Sequence, residues 1–142
     1  MSNKVFLCFD HGEKRIGVAV GQAITATATP LETITCKNSK PDWQQISRLI
    51  KQWRPSDFVV GQPLTMQGER QEATVAAERF ARQLHGRYRL PVHLADERLS
   101  SREARNILRD TYDIDPLAAR LILESWLADQ ALKETDDTMS GK

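Results

Sequence analysis

Three places along the chain set acids where chemistry can use them. Asp10 follows the apolar run Val5 to Phe9, Asp96 and Glu97 follow Pro91 to Ala95, and Asp115 stands before Pro116. Carboxylates gathered at one spot raise each other's pKa, so holding them together without a cation is costly. A hard cation such as Mg²⁺ takes oxygen ligands, often a few carboxylates completed by waters and a substrate phosphate. Two such ions roughly 3.5–4 Å apart activate a water and stabilise the leaving oxygen in phosphodiester cleavage. Each acid also has an ordinary role open to it. Asp10 suits a turn, Asp115 suits a helix N-cap ahead of proline, and Asp96 and Glu97 can pair with Arg98 or Arg102.

What the acids can do depends on the elements that carry them. The stretch Val5 to Val20 reads as a β-hairpin: a short run of strand formers, Asp10, a His11-Gly12 turn, and a second apolar run from Ile16. Asp10 then ends a strand buried on both faces, at the carboxyl end where open α/β sheets place ligands. Thr27 to Thr35 is a third strand, interrupted by Pro30 and therefore at an edge or bulged. Asn38 to Asp42 reads as a polar loop. Trp43, Ile46, Ile50 and Trp53 recur at helical spacing before Pro55, and Asp57 to Gly61 is a short buried strand. A loop from Gln62 to Gly68 leads to a helix from about Arg70, with Ala73, Ala76, Ala77, Phe80 and Leu84 as its core face and Gly86 as its stop. Pro91 to Ala95 is the last strand. Ser100 and Glu103 form a capping box for a further helix with Ala104, Ile107 and Leu108 inward. A final helix runs from Asp115 to about Leu132. The order β-β-β-α-β-α-β-α-α predicts an α/β domain with a mixed five-stranded sheet and helices on both faces. Residues 1–133 form that single domain, and residues 134–142 a disordered tail.

Composition narrows the classes. The chain has 142 residues, 40% hydrophobic and 27% charged, which suits one globular domain. No long apolar run or signal pattern opens it, which points to the cytoplasm and away from a membrane. Cys8 and Cys36 both fall in strand-like runs and read as buried thiols, not a disulfide framework. Neither C-x-x-C nor H-E-x-x-H is present, so no zinc motif is supported. Gly12 and Gly17 have P-loop spacing, but Val18-Ala19 stands where Lys-Ser/Thr is required. His11, His85 and His93 are scattered and read as surface or turn residues. The net charge is only +1, yet Arg79, Arg82, Arg87 and Arg89 follow one another without an intervening acid. Such a run is either a solvated helix face or a track for phosphates.

Four blocks, FDHGEKRIGVAV, VVGQPLTMQG, ADERLSSREA and IDPLAARLILESWL, resemble the YqgF family of bacterial RNase H-like proteins. They cover most of the chain in the family's order. Members are described as Holliday junction resolvases and as nucleases maturing pre-16S rRNA. The resemblance implies an RNase H-like fold and a catalytic, metal-binding set of Asp10, Glu97 and Asp115. It also implies that Lys14 and Arg15 lie beside the substrate, and that the loop after Gly61, with Gln62 and Thr65, lines the site. Gln62, Thr65 and Gln67 depart from the Leu, Asn and Asp more common in that block.

The leading expectation is a Mg²⁺-dependent nuclease, with Mn²⁺ as substitute, acting on precursor rRNA or branched DNA. Lys14, Arg15 and Arg98 would meet phosphates. A binding module of the same fold that does not cleave is a second reading, separated by a metal-dependent cleavage assay. An actin-like phosphate-binding domain is a third, suggested by Asp10-x-Gly12, but such proteins clamp nucleotide between two domains. Both monomer and homodimer fit; symmetric cutting of two strands calls for a two-fold dimer.

Overall fold

The computed structural model describes residues 3–99 and 115–140, with side chains in the second segment from 116 to 133. The helix expected from Ser100 lies outside the described residues. Six strands form one sheet: β1 (Val5–His11), β2 (Arg15–Gln22), β3 (Thr27–Lys37), β4 (Lys40–Pro41), β5 (Asp57–Gln62) and β6 (Val92–Asp96), in the order β4-β3-β2-β1-β5-β6. The first four run as an antiparallel meander, and β5 and β6 add to β1 in parallel. The sixth strand, absent from the five-stranded expectation, is β4, inside the stretch read as a polar loop. Two residues are too few to show periodicity. What creates the strand is a tight turn, Asn38 and Ser39 at φ of 52° and 63°, the left-handed pair that a two-residue hairpin needs.

Side chains of β1 alternate between two cores. Leu7 and Phe9 point to the face covered by α1 (Trp43–Trp53) and α2 (Glu72–Tyr88), joining Ile16, Val18, Ile34, Phe58, Val60 and Phe80. Phe6 and Cys8 point to the face covered by α3 (Asp115–Ser140), with Val59, Ala95, Ile122, Leu123 and Trp126. Covered on both sides, the strand is apolar throughout, as its sequence suggested. Pro30 sits in the ladder opposite Ala19, beside a register shift between Gly17 and Ala19. The expected bulge is there.

Helix ends differ from the sequence reading in instructive ways. Asp42 caps α1 by accepting from the Gln45 amide at 3.2 Å, and Arg54 closes it in a left-handed conformation before Pro55. Gly86 does not stop α2; the helix continues to Tyr88 and Arg89 takes the left-handed cap. Nothing crowds Gly86, and its backbone stays helical. The buried stripe of α2 is Thr74, Ala77, Phe80, Ala81 and Leu84, so Ala73 and Ala76 face outward. Thr74 sets this rotation, since its hydroxyl bonds the Pro63 carbonyl and accepts from the Gln71 amide. α3 runs on to Ser140, past the Leu132 end read from sequence, because no glycine or proline interrupts it before Gly141. Among the described residues no helix is long and apolar enough to cross a membrane.

Candidate active site

β1, β5 and β6 are parallel neighbours, so their carboxyl ends lie together. Asp10 is the penultimate residue of β1, and Glu97 follows directly on β6, opening a 3-10 turn (Glu97–Leu99). Strand alternation decides where each side chain goes. Cys8 and Val59 face α3, so Asp10 and Gly61, two residues further on, share that face. Ala95 faces it too, and Glu97 follows in the same phase. Asp96 points to the opposite side.

Gly61 lies between the two acid-bearing strands and forms the floor. A Cβ at this position would sit 2.7 Å from Glu97 Oε2 and 3.0 Å from Ile122 Cδ1. The Glu97 carboxylate therefore rests on a backbone that only glycine leaves bare. Gly17 lies directly across from Asp10 on β2. Asp10 and Glu97 are each only 7% exposed. Beneath them the Cys8 thiol is pushed well above its usual pKa, first by burial and then by the negative charges of Asp10 and Glu97. Both acids thus act on the same buried thiol, Asp10 from the end of β1 and Glu97 from the end of β6. The protonated thiol is a poor ligand for a hard cation, which leaves an all-oxygen donor pair.

That pair suits Mg²⁺: two buried carboxylates, one of them resting on Gly61, supply charge and oxygen donors where water is restricted. Asp115 opens α3 three residues before the fully buried Ala118 and seven before Ile122. Its side chain is outside the described residues. Among the described residues no group of three metal-ligating side chains is found.

The remaining expected site residues divide. Lys14 and Arg15 are exposed where the β1–β2 turn leads into β2, at the end of the sheet that carries Asp10. That turn closes only on glycine, since a Cβ at Gly12 would meet the Arg15 carbonyl oxygen at 2.6 Å. Gln62 is out of phase with Gly61 and turns to the α2 side, where its amide donates to Glu78 at 2.9 Å; Arg70 pairs with the same carboxylate. Thr65 accepts from the Glu69 amide at 2.9 Å and organises the loop itself. Arg98 is held by Asp96, with contacts of 2.7 to 3.1 Å, and reaches the Met66 carbonyl at 3.4 Å. The ion pair holds Asp96 below the usual carboxylate range, chiefly through the Arg98 side-chain hydrogen bond. Arg98 thus ties the loop after β5 to the end of β6, a role sequence alone did not suggest.

The histidines are not loose surface groups. His93 bonds Asp57 at 2.7 Å, His85 meets the Leu90 carbonyl at 3.0 Å, and His11 lies against Phe80 on the face away from Asp10. The arginine run also turns away from the acids. α2 covers the opposite face of the sheet, and Arg87 sits over the Trp43 ring at 4.1 Å. Sequence reading missed Gly61 as the seat of Glu97; its only signal was a glycine ending a buried strand.

A mixed sheet of this order, flanked by helices and bearing acids at the ends of its central and last strands, is the RNase H-like class. Two Thermus thermophilus RuvC structures share the fold, one of them in complex with a Holliday junction substrate. Their TM-scores are 0.54 and 0.51 at 15% identity, over 90% and 89% of this chain and 96% of each RuvC chain. A family model described as "RuvX: Holliday junction resolvase" matches residues 4–129. The chain belongs to this family of nucleases. Relatives named "Putative pre-16S rRNA nuclease" include one from Azotobacter vinelandii, 49% identical over 89% of this chain and 95% of its own length. Another, from Legionella pneumophila, is 48% identical over 89% of this chain and 97% of its own.

Proposed function

We propose that this protein is a divalent-cation-dependent endonuclease of structured nucleic acid, acting in the cytoplasm on the 5′ end of pre-16S rRNA. The observation that carries the reading is that two nearly buried carboxylates, Asp10 and Glu97, stand at the carboxyl ends of the strands on either side of β5, with Glu97 seated against Gly61. Asp10, Glu97 and Asp115 would hold Mg²⁺, or Mn²⁺ in its place. When bound, the cation supplies an activated water and charge for the leaving oxygen. The chain's own residues do the rest. The glycine floor fixes Glu97, Ile122 and the apolar face beneath exclude bulk water, and Lys14 and Arg15 orient the phosphates. Arg98, held by Asp96, also fixes the 62–70 loop through the Met66 carbonyl. Two free cysteines suit a reducing compartment.

Relatives at 45–49% identity carry the pre-rRNA description, which favours RNA. The family model's description favours a second substrate, the four-way DNA junction. Cleavage of a pre-16S rRNA end and of a four-way junction, side by side with Mg²⁺ or Mn²⁺, separates them. Faster cutting of the RNA supports the first reading, and preference for the junction replaces it. No metal-dependent cutting of either leaves a binding module.

A further inference from the structure

We propose that the β3–β4 hairpin is a backbone clamp for the nucleic-acid strand entering the acid site, with Lys37 and Lys40 as its phosphate contacts. The inference rests on the nuclease reading above and says where the substrate lies.

The sheet itself lays out the path. From Asp10 the ladder passes to Gly17 and then Thr33; one step towards the end, Arg15 pairs with Thr35; beyond that, Lys37 pairs with Lys40. Ile16, Ile34 and Cys36 pack into the core on the α1–α2 side. Alternation therefore puts Arg15, Thr35 and Lys37 on the face of Asp10, and Lys40, directly opposite Lys37, goes with them. The left-handed Asn38–Ser39 turn fixes this register. Thr35, Lys37, Asn38, Lys40, Pro41 and Asp42 line a cleft of about 500 Å³.

Three lysines at this end, Lys14, Lys37 and Lys40, carry charge that is not paired internally among the described residues. Asp42 is the acid of the cleft, and its carboxylate accepts from the Gln45 amide. Glu13 is the acid of the neighbouring turn. Two like charges directly opposite one another weaken a ladder. A phosphate bound between them removes that repulsion. β4 stands three strand spacings from β1, about 14 Å. At about 3.4 Å per step, that reaches about four base pairs from the phosphate to be cut.

The test is the salt dependence of binding, measured by anisotropy on a four-way DNA junction and on a tailed RNA stem. Asp10→Asn is the background, so that substrate stays intact. Losing two phosphate contacts should make the slope of log K against log salt shallower by about 1.8. The advantage over Lys37→Gln/Lys40→Gln should then shrink about twelvefold between about 50 and about 200 mM salt. Arg48→Ala/Lys51→Ala, on α1, should leave the slope unchanged. Lys37→Arg/Lys40→Arg should restore it, which separates charge from any effect on folding. Trimming the flanking duplex below about four base pairs on one side should abolish the difference. Equal slopes for the parent and the Gln pair overturn the clamp, as does absence of nucleic-acid binding by the parent. The nuclease reading fails separately, if Asp10→Asn cleaves as fast as wild type, and the slopes still decide the hairpin.

Discussion

The two faces of the sheet are built from different materials. On the α1–α2 face, Phe9, Phe58 and Phe80 meet edge to face with centroids 5.9 and 5.4 Å apart, and Trp43 stacks on Phe80. On the α3 face, the described residues at the acid end are Cys8, Val59, Gly61, Ala95 and Ile122, with Ala118 and Ala119 buried on the helix, and the described rings Phe6 and Trp126 meet at the other end. Aromatic burial supplies stability without reference to chemistry. Small residues bring helix and sheet close while leaving room for two carboxylates. The contrast teaches that aromatic packing and the acid end are segregated across one strand, residue by residue, and separate substitutions should expose what each does.

The largest effect should come from Asp10→Asn. Cleavage should fall by orders of magnitude, because the charge that holds the cation is lost. Metal-free thermal melts should be unchanged or higher, since repulsion with Glu97 is relieved. Full cleavage by the mutant would falsify the assignment of Asp10. Phe80→Ala and Gly61→Ala then make a matched pair across the sheet. Phe80→Ala should cost about 3–5 kcal/mol in urea titrations, with turnover per folded molecule close to wild type. Gly61→Ala should cost about 1 kcal/mol, because the crowded atoms are side-chain ends that can shift. Its turnover should drop roughly ten- to hundredfold, because the atom that shifts is Glu97 Oε2. If the two variants affect stability and turnover in parallel, the segregation of the faces is wrong.

A weaker effect tests the far end of the α3 face. Burial pushes Asp57 upward, but hydrogen bonds from His93 and Ser56 and the charge of Lys4 bring it below the usual carboxylate range. Its stabilisation is therefore complete above the ordinary aspartate value near about 3.9 and is lost as pH falls through the lower folded value. Melts between neutral and strongly acidic pH should show that limb, and Asp57→Asn should flatten it. The smallest effect should be a gain. Gly86→Ala, at an uncrowded helical position, should raise stability by about 0.5–1 kcal/mol with cleavage unchanged.

Much of this was legible from residue order. The apolar runs gave the strands, the spacing of Trp43, Ile46, Ile50 and Trp53 gave α1, and Asp10 and Glu97 stood out as acids ending strands. The choice between Asp96 and Glu97 needed the phase of β6, because adjacent strand residues face opposite ways and both types suit a ligand. β4 was hidden because the Asn38–Ser39 turn resembles any polar loop. Gly86 misled because a helix tolerates glycine when nothing else stops it. The arginine run was opaque for another reason: its distance from the acids depends on which face α2 covers, which helical periodicity does not encode.

The sheet order has one more consequence, for how the two acids respond to warming. β1 is hydrogen-bonded along both flanks, to β2 and to β5, whereas β6 ends the described sheet and pairs with β5 alone. Amides of Leu7 to Phe9 should exchange with solvent only when the whole molecule opens, while those of β6 exchange through local fraying. Asp10 rides on the first segment and Glu97 follows the second. The acid pair therefore comes apart before the fold does, and activity should decline at temperatures where the melting signal is still flat.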